Sequence, residues 1–529
     1  MRRFLACIAF TVFACVPAAQ AAPPVFFVDG HGWGHGIGMP QYGAQGFASR
    51  DGRKHDWILA HYYRGTTLGK TSVGKVRILL ADRAAGVTIG SASAFKVTDA
   101  RGRTFTIPKG SHQLGSGLRI RSQNGRLRTL ASPARFKRGT AHLRLNGRAY
   151  RGEMMLHSSG GRVSAVNHLS LERYLYGVVP DEMPPSWHPE ALKAQAVAAR
   201  SYAVVSRKTS GIFDLYADTR SQVYNGVPAE DARATAAIDA TRGQVVRHNG
   251  AVAWTFFHST SGGRTANIEH VWNTTARPYL VSVPDPHDDL SPYHNWGPFR
   301  YSAKSFRAKL GSSAPRGALV DATANRNASR RISSVTVKGA LGTRSLAGTS
   351  FQYAFGLRSS WFTIGVLSLD GRSSVTYGKK ITLGGVARNV GGGARLERRA
   401  WGAKSWTRVR DVSTGAVSVK VGPKATAWFR LASPKGKGAG HRVNVATAVV
   451  AQIGSARRAI RGGIGPTRGG VEVQVQRRVS GSWRTVATAT TAGDGSYVAR
   501  LNVTAGSYRA TAKAGPAHAR GYSAVLKAG

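Results

Sequence analysis

Residues 171–206, LERYLYGVVPDEMPPSWHPEALKAQAVAARSYAVVS, join an acidic turn, a run of prolines and an alanine-rich helix, and the rest of the chain has to be arranged around them. Pro184, Pro185 and Pro189 each fix their own φ and turn the preceding residue away from helix, so Asp181-Glu182-Met183 is predicted to stand as an exposed elbow. The helix is predicted to begin near Pro189, since proline suits a first helical position and Glu190 suits the positive end of the helix dipole. Ala191, Ala194, Ala196, Ala198, Ala199 and Ala203 follow with no glycine or proline before Arg207, which favours an unbroken rod. A rigid turn therefore presents a carboxylate at the mouth of a rigid helix.

The N-terminus carries Arg2 and Arg3, an apolar run from Phe4 to Val16 and the small-x-small pattern Ala19-Gln20-Ala21, so residues 1–21 read as a secretory signal too short to span a bilayer. Both cysteines, Cys7 and Cys15, lie inside it, and the mature chain is expected to hold no disulfide and no thiolate metal site. Its loss leaves 73 Lys and Arg against 25 Asp and Glu, an excess that calls for an anionic surrounding. Export and the lack of a zinc-finger, RNA-recognition or helix-turn-helix pattern argue against nucleic acid. An anionic cell envelope fits better, although the arginine usage of a GC-rich genome would account for part of the charge. No later stretch is apolar enough to cross a membrane, so the chain is expected to be secreted and associated with the cell wall.

Residues 25–69 open with His31-Gly32-Trp33-Gly34-His35-Gly36-Ile37-Gly38-Met39, too rich in glycine for a helix or a plain strand and therefore a loop where backbone comes close to something. The intervening glycines remove the shared helical face on which two histidines four apart could hold zinc. A substrate-lining loop and a purely structural loop both remain open on these residues. Gln41 to Ala48 and Trp57 to Tyr63 look helical. Residues 73–170 alternate short apolar runs with glycine-centred turns, the pattern of antiparallel hairpins. A second helix is predicted over Ala229 to Thr241. Ser259 to Thr265 reads as a polar loop after an apolar strand, either a ligand loop or a simple turn.

The main domain is expected to cover 22–365. From Val366 onward long helices vanish, and 28 Lys and Arg stand against 5 Asp and Glu. Arg398-Arg399 with Gly402 and Trp406 echoes Arg477-Arg478 with Gly481 and Trp483 about 80 residues later, a period that fits two β-sandwich modules of immunoglobulin size, 366–448 and 449–529. Their tryptophans are expected in the cores rather than as sugar platforms. The predicted class is thus α+β, followed by all-β immunoglobulin-like modules.

Nucleophilic machinery is not evident: there is no Gly-x-Ser-x-Gly elbow, no His-Glu-x-x-His pair and no phosphate loop. Ordinary glycoside hydrolysis needs two carboxyl groups flanking the bond, and Asp181, Glu182 and Glu190 are close in sequence. One suffices where the substrate supplies its own nucleophile, the acid protonating the glycosidic oxygen and then taking a proton from an attacking sugar hydroxyl. Met183, Pro184, Pro185 and Trp187 are placed to desolvate Glu182 and raise its pKa. Lys193 and Arg200, seven apart, share a helical face. The competing reading makes Glu182 a helix-approach carboxylate and Arg200 its structural partner.

Leu171-Glu172-x-Tyr174-Leu175-x-Gly177-Val178-Val179, Glu182-Met183-Pro184 and Glu190-Ala191-Leu192-Lys193-Ala194-Gln195-Ala196-x-Ala198-Ala199-Arg200-x-Tyr202 resemble the SpoIID/LytB family of stage II sporulation protein D and amidase enhancers. His31-Gly32-x-Gly34-His35-Gly36-x-Gly38-Met39-x-Gln41-Tyr42-Gly43-Ala44 is similar to the family's second motif, and Ser261-Gly262-Gly263-Arg264 and Gly356-Leu357-Arg358-Ser359 match as well. The resemblance covers about residues 25–365 and implies a lytic transglycosylase that cleaves peptidoglycan glycan strands stripped of stem peptides, leaving 1,6-anhydro-N-acetylmuramic acid ends. On that reading Glu182 is catalytic. Arg200, Lys193, Gln195, His31, His35, Met39, Gln41, Tyr42, Ser261, Gly262 and Gly263 contact substrate. Zinc-binding members carry cysteines where this chain has Tyr216 and Ser221, so no zinc, other metal or cofactor is expected. The His-Gly motif precedes the catalytic helix, an actinobacterial-type order that differs from the sporulation type. The implied partners are glycan strands and, through the basic C-terminal modules, anionic wall polymers. The alternative reading is a non-catalytic amidase enhancer that binds the wall and stimulates a separate peptidoglycan amidase.

Overall fold

Small side chains explain why the helix at Pro189–Ser206 lies at the centre. The computed structural model describes residues 22–529, so the expected signal at 1–21 lies outside the described residues. The helix starts at Pro189, with the His188 ring accepting from the Glu190 amide at 3.2 Å as its cap. Alanine lets neighbours approach on every side, and the rod becomes a wall shared by two cores. Ala196, Ala199 and Ala203 face one core with Val76, Ile78 and Leu156, whereas Ala191, Ala194 and Ala198 face another with Phe47, Ile58 and Tyr62. Helices Gln41–Ser49, His55–Tyr62 and Ala232–Ala240 form close to where the sequence places them.

The hairpin region builds a seven-stranded sheet that includes Lys75–Ala84, Arg162–Ser170, Glu153–Ser159 and Ala134–Lys137 in that spatial order. Strict alternation sets its register: Met154 and Leu156 point inward opposite Asn167 and Ala165.

The N-terminal strand Val25–His31 departs from a main domain closed at 365. It lies between Asn295–Ser302 and Phe362–Gly371 in a five-stranded sheet that continues through Ile381–Arg388 and Gly415–Val421. Val25 and Phe27 enter the core of the first C-terminal unit, while Phe26 and Val28 enter the core on the opposite face. Burial on both faces accounts for the unbroken apolar run. The boundary drawn between 365 and 366 falls inside the strand Phe362–Gly371, so the two parts share a sheet.

From Phe362 onward the regular elements are strands, and the class is α+β. The sequence echo marks two hairpins, Ala394–Ala400 with Thr407–Val412 and Glu472–Val479 with Ser482–Thr490. The tryptophans of the first are not core residues. Trp401 is 41% exposed and stacks on Trp428 at 5.9 Å, with Arg442 over both rings and Arg399 over Trp428 and Trp406. Period-2 alternation places Trp428 on the face opposite the inward Phe429, and Trp401 and Trp406 come from the turn of the hairpin. Among the described residues no helix is long and apolar enough to cross a membrane.

Candidate functional site

Glu182 ends the short helix Val179–Glu182 and lines a cavity of about 280 Å³. The expected exposed elbow is instead folded inward: Met183 leaves helical φ at −133° and is completely buried, which draws the carboxyl behind it. Burial, then the neighbouring Asp181 charge, pushes the Glu182 pKa from 4.5 up to about 7, against a hydrogen bond from Gln41. Among the described residues Glu182 is the only acid lining this cavity. Asp181 accepts from Asn225 at 2.7 Å instead.

His35 forms part of the opposite wall. Its loop passes so close to other segments that a Cβ at Gly36 would lie 2.4 Å from the Arg331 guanidinium and one at Gly38 2.1 Å from the Phe256 carbonyl. Both glycines have positive φ, so the loop is specified sterically twice over. His35 Nε2 donates to the Phe257 carbonyl and Nδ1 accepts from the Ile37 amide, both at 3.0 Å, which fixes the neutral tautomer. Burial pushes its pKa down to about 4. Both ring nitrogens are engaged within the loop and its neighbour, so His35 shapes the wall. Phe256, Phe257 and Trp272 complete an aromatic side, with the Trp272 ring tilted at 54° to His35, 5.1 Å between centroids, and 40% exposed. Tyr202 faces in from the long helix, and Thr219, Ser221 and Gln222 close the polar side. Gln222 is held by Tyr174 at 3.2 Å and by the Ala199 carbonyl at 3.3 Å.

Residues 159–248, which hold Glu182 and the long helix, match the family model described as SpoIID, Stage II sporulation protein. The chain carries a SpoIID/LytB-family domain. Stage II sporulation protein D of Bacillus subtilis is 31% identical over 215 residues, which are 37% of this chain and 61% of that protein. An uncharacterized protein of Brachyspira hyodysenteriae is 40% identical over 142 residues, or 26% of this chain and 38% of that one. The amidase enhancer of Bacillus subtilis is 38% identical over 114 residues, 22% of this chain and 15% of its own length. The chain thus spans less than two thirds of each of these relatives. Among solved structures, the human OSCAR ligand-binding domain aligns with 30% of the chain at 16% identity and a TM-score of 0.14, too low to bear on the fold.

Within and around the SpoIID domain, the residues expected at the site divide into four groups. Glu182, Gln41 and His35 come together at the cavity, and Tyr42 packs on Trp187 at 4.8 Å beside it. Arg200, Gln195, Met39 and Ser261 do not reach it, because all four are fully buried. Arg200 clasps Glu172 through Nε at 3.1 Å and Nη2 at 2.6 Å and also donates to the carbonyls of Gln244 and Ile238, so it is a structural crosslink and its partner is Glu172 rather than Glu182. Lys193 donates to Glu190 at 2.6 Å, and Glu190 also accepts from the His55 amide. His31, Gly262 and Gly263 line a separate cavity. The Ser261–Gly262 amides are taken up by buried Asp288, which explains why that loop turns away from Glu182. Tyr202, Gln222 and Trp272 were not singled out as site residues by sequence. Tyr202 belongs to the quoted helix motif and Gln222 follows Ser221, whereas Trp272 carries no such signal.

Proposed function

We propose that the protein is a secreted, cell-wall-associated lytic transglycosylase that cleaves denuded peptidoglycan glycan strands with formation of 1,6-anhydro-N-acetylmuramic acid ends. The observation that carries this reading is a single carboxyl in a half-apolar cavity, held near half-protonation at neutral pH. Protonated Glu182 gives its proton to the glycosidic oxygen as the bond to the anomeric carbon breaks. The resulting carboxylate then accepts the proton of the muramyl 6-hydroxyl, whose oxygen closes on that carbon, so the glutamic acid is regenerated and no water is consumed. The lack of a second carboxyl is what this internal attack allows and what hydrolysis does not. Trp272 and Phe256 offer apolar faces for the sugar rings.

Digestion of denuded strands followed by mass spectrometry tests the reading: anhydro ends are expected from the wild type and none from Glu182→Gln. Hydrolytic reducing ends, or unchanged turnover by the variant, would overturn it. The second reading is the amidase enhancer, favoured by the basic region from 366 onward and by the name of one relative. It prevails if purified protein releases nothing from glycan yet accelerates a peptidoglycan amidase. Under either reading the C-terminal units, proposed as immunoglobulin-like modules, hold anionic wall polymers through charge, with the arginine–tryptophan face of the first unit available to contribute.

A further inference from the structure

The second cavity, about 330 Å³, is lined by His31, Arg264, His294, Arg330 and Trp361 beside the Gly262-Gly263 turn, and none of its lining residues is acidic. The carboxylates behind this lining are taken up by groups other than its two arginines. Asp288 accepts from the Ser261 and Gly262 amides at 2.6 and 2.8 Å and from His294 Nδ1 at 2.8 Å, Asp285 accepts from Tyr62 and Ser261, and Asp29 is paired with Lys435. Among the described residues, neither the Arg264 nor the Arg330 guanidinium has an acidic or hydrogen-bonding partner. Arg330 is also held at φ +61°, a left-handed conformation that suits glycine, with its amide donating to the Asn327 carbonyl at 2.9 Å and its carbonyl accepting from Arg326 at 3.1 Å. Strain of this kind persists only where the surroundings impose it, and here it places a cation at the cavity rim.

We infer that this cavity is a subsite for the carboxylate of an acidic sugar. Two unpaired guanidinium forks match a carboxylate in shape and charge, and the Trp361 indole, 7% exposed, gives an apolar floor that a free inorganic anion would not need. His31 and His35 lie on one stretch of chain and are at most ~14 Å apart, about the length of a few sugar units. That the sugar is muramyl, whose lactyl ether carries the carboxylate, rests on the transglycosylase reading; the recognition of a sugar carboxylate does not.

Calorimetric titration of the full mature chain with N-acetylmuramic acid and with N-acetylglucosamine, which lacks the lactyl carboxylate, tests the site. The acidic sugar is expected to bind about tenfold more tightly, and the double variant Arg264→Gln/Arg330→Gln, its fold checked by circular dichroism, to lose the difference. Glu182→Gln is expected to keep it, which separates this site from the reacting one whatever the outcome of the glycan digest. Equal binding of the two sugars, survival of the preference without the arginines, or inorganic phosphate binding as tightly as the acidic sugar would each overturn the inference.

Discussion

Glu182→Gln offers a test of the site that needs no substrate. A carboxyl ordinarily ionising at 4.5 and displaced to about 7 is held in a place that disfavours its charged form. At ~1.4 kcal/mol per pH unit the gap corresponds to about 3 kcal/mol. The folded pKa is raised above the unfolded one, so stability is fully present below the unfolded value and is lost as pH rises through the folded value. Glutamine keeps the shape and never ionises. The variant should therefore match the wild type near pH ~4, gain on it steadily through the interval between 4.5 and 7, and hold a lead of about 3 kcal/mol above that. Urea unfolding followed by tryptophan fluorescence at a series of pH values from about 4 to about 8.5 measures the difference directly. A difference that is flat across this range, or that grows on acidification, would refute a desolvated carboxyl at this position and with it the acid role.

Glu172→Gln leaves the Arg200 guanidinium buried without its counter-charge and is expected to cost ~3–5 kcal/mol in the same denaturation assay; loss of activity at unchanged stability would instead support a glycan-contacting Arg200. Trp272→Ala should raise KM for glycan strands roughly 3- to 10-fold with little change in kcat, read from steady-state product release. Sedimentation with purified walls should fall steeply as salt rises from ~0.1 M to ~1 M, because the screening length shrinks from ~10 to ~3 Å; retention at high salt would point to the stacked tryptophans rather than to charge. A chain ending at residue 365 should lose thermal cooperativity around Val25–His31, because Phe362–Gly371 is cut within its pairing partner of that strand.

Local physics made much of this visible in advance. Pro189 with its alanines announces a helix, and Met154, Leu156 and Val163 announce a half-buried sheet, because in each case the deciding neighbours lie within a few residues. The elbow misled for the opposite reason: prolines predict the turn at Asp181-Glu182-Met183, but whether Glu182 faces solvent depends on Gln41 and Phe257, far away in sequence. Arg200 and Lys193 share a helical face in any α-helix, yet Glu172 and Glu190 take one each and divide their fates. The glycine loop was read as a place of close approach, which it is. That His31 and His35 serve different cavities follows from Asp288 capturing the Ser261–Gly262 amides, a contact with no local signature.

The strand Val25–His31 also sets an order of events. It is the first described strand to be synthesised, yet its two partners, Asn295–Ser302 and Phe362–Gly371, follow about 260 and 330 residues later. Distant pairings of this kind form late because the long intervening loop must be closed first. The glycine loop hangs directly from this strand, so the His35 wall of the Glu182 cavity is completed only after most of the chain has been made and folded. A nascent or clipped molecule would hold Glu182 in an unfinished cavity, so the fold itself sets when this site is complete.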